Sequence, residues 1–60
     1  MLYENIKSVC KEKKIPMYQV EDDTGLPRGS ISKWRTVKPA YDKLQAVAKR
    51  LDVSMDELVD

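Results

Sequence analysis

The sequence predicts an all-α fold, a compact five-helix bundle forming a single domain over residues 1–60. Three observations lead there. Apolar residues recur at three- and four-residue spacing in one short segment after another. The three prolines and Gly25 fall between those segments or at their starts. No stretch alternates apolar and polar residues over the length of a strand, and no segment repeats. A chain of 60 residues with 42% hydrophobic and 35% charged positions suits one small globular domain. A domain of that size buries only about 60% of the surface its unfolded chain exposes, so its stability should be marginal.

Each element has its own signals. Leu2, Ile6, Val9 and Cys10 share one helical face, and lysines gather in the last turn, where they complement the carbonyl end of the helix dipole. Ile15 precedes Pro16 and is pushed out of the helical region, so the first helix ends near Lys13 or Lys14. Pro16 opens a second helix, Met17 to Asp23, with Val20 buried and Gly25 at its exit. A third helix should start at Pro27 or Arg28 and run to about Arg35, burying Ile31 and Trp34. Thr36 to Pro39 form a loop. Leu44, Val47, Ala48 and Leu51 then mark the clearest helical face, in a helix from Tyr41 to Leu51 that leaves through Asp52. Ser54, followed three residues later by Glu57, is a capping box, and Leu58 and Val59 supply the apolar face of a fifth helix.

Composition narrows the function. With no histidine, the commonest general base is missing, and with one cysteine there is no internal disulfide. No enzyme activity, cofactor or metal site is expected from this residue set. No apolar run approaches the ~20 residues of a membrane span, and a cytoplasmic location is the expectation. The net charge of +1 hides a strong asymmetry. Residues 27–50 carry seven cations (Arg28, Lys33, Arg35, Lys38, Lys43, Lys49 and Arg50) against Asp42 alone, a local net of +6. Glu21, Asp22 and Asp23 precede this stretch, and Asp52, Asp56, Glu57 and Asp60 follow it. One cationic face on a near-neutral molecule suits a polyanion.

Residues 17–36 have a helix-turn-helix layout: Val20 in the first helix, Gly25 at the turn, then Leu26, Ile31 and Trp34 to hold the second helix down. The second helix begins Arg28-Gly29-Ser30 and presents Ser32 and Lys33 on its outer side, the short and cationic groups that major-groove entry requires. On these residues, with the stretch from Leu51 to Leu58, the chain resembles the Cro/C1-type helix-turn-helix family of phage repressors, Cro-like proteins and small bacterial regulators. The resemblance covers residues 4–58. It implies a lambda-repressor-like DNA-binding bundle whose third helix reads DNA, and a homodimer on a palindromic operator.

By position in that family, Arg28, Gly29, Ser32 and Lys33 fall where bases are contacted. Met17, Thr36 and Lys38 fall where phosphates are contacted, and Ser30 can serve either role. Arg28 is the leading base reader, since an arginine can make two hydrogen bonds to guanine. Lys33 can do so less precisely, or bind phosphate as a point charge. Gly29 lets the helix approach DNA closely. Trp34, by its spacing, belongs to the core. The chain departs from the family at three places. Met17 replaces a polar residue, Pro16 replaces the usual Ser or Thr cap, and Glu21 stands where Ala is preferred. A carboxylate at 21 should reach solvent or find a cation such as Arg35.

The implied function is sequence-specific binding of double-stranded DNA by a transcriptional regulator of the phage or bacterial repressor kind. The alternative is a protein-interaction module on the same fold, antitoxin-like or regulator-binding, motivated by Met17 and the acidic run at 21–23. The chain ends soon after Leu58, where family members usually continue into a dimerising segment. The expectation is therefore either the N-terminal domain of a longer regulator, the favoured reading, or a very small regulator; a monomer should be weak on a half-site.

Overall fold

The computed structural model describes residues 1–59. It contains five helices: α1 (Leu2–Lys13), α2 (Met17–Thr24), α3 (Ser30–Lys33), α4 (Tyr41–Leu51) and α5 (Met55–Val59), with no strand among the described residues. The expected all-α bundle is what forms. Helix α2 packs chiefly on α4, while α1 packs on α5 and α4.

Helix ends follow the local chemistry of the sequence. Helices α1 and α4 end through Lys14 and Asp52, both left-handed (φ 59° and 58°), and α2 ends through Gly25 (φ 79°). In each case the exit residue's N–H turns back to carbonyls of the last turn, which would otherwise lack partners. Ser54 Oγ accepts the Glu57 N–H at 3.3 Å and so caps α5.

The core is one cluster to which every helix contributes: Ile6 and Cys10 from α1, Val20 from α2, Ile31 from α3, Leu44, Val47, Ala48 and Leu51 from α4, and Leu58 from α5. Burying these side chains is the main force holding five short helices together. Leu2, Val9 and Trp34 were expected inside and are half-buried against this core. Val59 is exposed, contrary to expectation, because the single turn and a half of α5 has one inner side and Leu58 occupies it. The Asn5 side-chain amide donates to the Leu58 carbonyl at 2.8 Å, tying the last helix to the first.

The third helix differs most from the sequence reading. It is a single α-turn, Ser30–Lys33, and not a helix from Pro27 to Arg35. Gly29 has φ 91° and sits at the N-cap, so helical geometry cannot run through it from Pro27. Beyond Lys33 the chain continues in tighter turns, with Trp34 and Arg35 N–H groups donating to carbonyls three residues back.

Candidate nucleic-acid interface

The unit that would meet DNA is built around a buried carboxylate. Glu21, near the end of α2, is only 4% exposed. Its two oxygens accept the Gly29 N–H at 3.1 Å each, and one of them accepts the Ile31 N–H at 3.0 Å. Gly29 has no side chain with which to cap α3, so the cap comes from the preceding helix. A negative group also suits the positive end of α3. The expectation that Glu21 would reach solvent or pair with Arg35 is corrected: amide donors, not water or a cation, satisfy it. Arg35 instead donates to the Ser32 carbonyl at 3.2 Å and lies over the Tyr3 ring at 5.0 Å, fastening the end of α3 to α1.

The other two acids of the run are also engaged within the chain. Asp22 takes Arg28 side-on, with Nη2 at 3.0 Å and Nε at 3.4 Å. The same guanidinium stacks over the Tyr18 ring at 5.1 Å. Its bond to Asp22 holds the Arg28 pKa above its ordinary value. Asp23 accepts Arg50 Nε at 2.6 Å and Gln19 Nε2 at 2.9 Å. These two bonds, Arg50 first, hold its carboxyl below the usual range.

The positions singled out in the sequence fall in three groups. Arg28, Ser32, Lys33, Thr36 and Lys38 are exposed along the turn, α3 and the following loop. The side chains of Ser32, Lys33 and Lys38 make no hydrogen bond or ion pair among the described residues and are exposed to solvent. Thr36 Oγ1 donates to the Lys33 carbonyl at 3.4 Å, and Ser30 Oγ to the Pro27 carbonyl at 2.6 Å, with Ser30 half-buried. Both hydroxyls keep the capacity to accept. Met17 is half-buried against the core and offers no side-chain donor. Gly29 lies at the start of α3, not within it. A Cβ there would meet nothing within 4 Å, so the left-handed backbone, and not space, requires glycine.

Lys43 was not among the selected positions, yet α4 brings it to the same side. It lines an open groove of about 290 Å³ together with Ser30, Lys33, Trp34, Lys38 and Pro39. Three lysines from α3, the loop and α4 thus converge beside the exposed edge of the tryptophan. Tyr18, Glu21 and Asp22 were missed as parts of the site. The available signal was a glycine at a helix start with no side chain to cap it, eight residues after an acid.

Two short helices crossing at a glycine turn, the second capped from the first and flanked by unpaired cations, define a helix-turn-helix domain. The chain belongs to the family of Cro/C1-type helix-turn-helix DNA-binding domains, whose profile matches residues 5–60. No curated protein and no solved structure matches it significantly. No helix among the described residues is long and apolar enough to cross a membrane.

Proposed function

We propose that this domain reads a specific double-stranded DNA sequence for a transcriptional regulator of repressor type, with the turn before α3 and α3 itself in the major groove. In this reading Arg28 contacts guanine, Ser32 and Lys33 contact neighbouring base edges, and Ser30 serves either base or phosphate. Thr36 and Lys38, joined by Lys43, hold phosphates and release counterions. Met17, at the start of α2, has only its backbone to bring to a phosphate. The observation that carries the reading is the sorting of charge. Every acid of the 21–23 run is engaged within the chain, while Lys33, Lys38 and Lys43 converge on one open face. That sorting also weakens the case for a protein-interaction module, whose motive was the same acidic run. A homodimer on a two-fold operator would place two such faces one helical turn apart.

The test starts from the duplex that the protein selects out of a randomised library. Arg28→Ala should lower the affinity ratio of selected to scrambled duplex by roughly tenfold or more, the worth of a good bidentate guanine contact. An unchanged ratio removes Arg28 from the base-reading set. Failure to enrich any sequence rejects specific recognition altogether.

A further inference from the structure

Arg28 is exposed and long, yet the structure does not leave it loose. We propose that Asp22 and Tyr18 are specificity-determining positioning residues, holding Arg28 so that the outer edge of its guanidinium faces the bases. The proposal rests on the reading of Arg28 as the base contact.

Geometry carries the argument. A guanidinium has five N–H groups in a rigid plane. Asp22 engages the side-on edge, through Nε and Nη2. The end-on edge, formed by Nη1–H and the outer Nη2–H, stays open, and that is the edge that matches O6 and N7 of guanine. Two parallel bonds to one carboxylate fix the direction of the fork. The Tyr18 ring beneath, at 5.1 Å, fixes its plane. Both supports stand on α2, whose relation to α3 is itself set by Glu21. The arginine has therefore given up much of its rotamer freedom before DNA arrives, which favours the one base that fits.

Charge sharpens the proposal. Asp22 is 43% exposed on the side chain and lies beside the face that meets DNA. A carboxylate there repels every phosphate backbone alike. It weakens binding to all sequences and improves the choice among them. Removing it should therefore raise affinity for random DNA while lowering discrimination, a pair of opposite changes that loss of folding cannot produce.

The experiment uses the 60-residue protein and two duplexes, the library-selected sequence and its scramble, with affinities measured by fluorescence anisotropy at one fixed salt concentration. Asp22→Ala should bind the scramble more tightly and show a selected-to-scrambled ratio reduced roughly five- to tenfold, a share of the bidentate contact's worth. Tyr18→Leu should reduce the ratio less, and Asp22→Asn, which keeps one acceptor, should be intermediate. The double variant with Arg28→Ala should discriminate no worse than Arg28→Ala alone, because both changes act through one side chain. If Arg28→Ala lowers the ratio while Asp22→Ala and Asp22→Asn leave it unchanged or raise it, positioning by Asp22 is overturned and the base-reading role stands. If Arg28→Ala itself leaves the ratio unchanged, the underlying reading fails and this proposal with it. Should Asp22→Ala melt early, the isosteric Asp22→Asn decides by the same ratio.

Discussion

The Glu21 carboxylate accepts the Ile31 amide N–H at 3.0 Å across the turn that separates α2 from α3. One side chain thereby supplies what the sequence around Gly29 lacks, a cap for α3, and ties that turn to α2. In most helix pairs such a relation is left to apolar packing. Here packing is thin, since α3 buries only Ile31 completely.

Glu21→Ala should accordingly be among the most damaging single changes. It leaves the Gly29 and Ile31 amides without their acceptor and opens a gap at the crossing. Losing the acceptor of a buried donor costs ~1–3 kcal/mol; with the Ile31 amide buried and the Gly29 amide able to reach water, a total of ~2–3 kcal/mol is expected, which in a domain this small lowers Tm by roughly 10–20 °C. Thermal melts followed by circular dichroism check it. A Tm within a few degrees of the parent would mean that α3 does not depend on this cap.

Gly29→Ala tests backbone conformation separately from contact. Space is open around the site, so the expected loss is the conformational cost of φ 91° alone, ~1 kcal/mol. Urea titrations should show a lower midpoint with an unchanged m-value. A larger loss would point to a contact that the added methyl group disturbs.

Acid should weaken the domain partly through Asp23. Its carboxyl pKa lies below the ordinary value in the folded state, because Arg50 and Gln19 bond the ionised form. A depressed folded pKa contributes stability that is complete above the ordinary value of 3.8 and that is lost as pH falls through the lower folded value. Urea midpoints measured from pH 5 down to pH 2.5 should fall, and Asp23→Asn should flatten that fall. An identical pH profile for the variant would show that the pair contributes nothing measurable in solution, the common fate of exposed ion pairs.

Lys38→Ala and Lys43→Ala should weaken binding to selected and scrambled duplexes about equally, each lowering the slope of log affinity against log salt by about one. Measured slopes that stay at the parent value would place these lysines off the phosphate track. Lys33→Ala is expected to affect both slope and discrimination, since it lies on α3 itself.

The cysteine gives an independent reading of stability. Burial raises the Cys10 thiol's pKa above its ordinary value, with Arg50 opposing in part. Alkylation by iodoacetamide near pH 8 should be slow in the folded protein and should quicken in step with unfolding by urea. Rapid alkylation without denaturant would mean that α1 opens locally.

Most of the fold was legible because it rests on local chemistry. The faces of α1 and α4, the exit at Gly25, the left-handed Asp52 and the Ser54 cap are all set by residues within one or two turns. The helix-turn-helix layout of residues 17–36 was legible in the same way, and the family profile agrees with it. What could not be read is non-local. Glu21 looks like a misplaced charge until Gly29 and Ile31, eight and ten residues away, are seen to turn their amides toward it. Pro27 looks like a helix start until Gly29 interrupts. The engagement of Asp22 with Arg28, and of Asp23 with Arg50 across 27 residues, likewise follows only from the packing of α2. For the same reason Lys43 was counted in the basic stretch but not selected for the site: its helix, and not its sequence neighbourhood, brings it to Lys33 and Lys38.

The central claim is that this face binds duplex DNA, and an NMR titration of labelled protein with a short random-sequence duplex tests it most directly. At low salt the account predicts amide shifts concentrated in residues 27–43, fading as salt rises to physiological strength, as phosphate-dominated contact requires. No shifts at low salt, or shifts confined to α1 and α5, would contradict it.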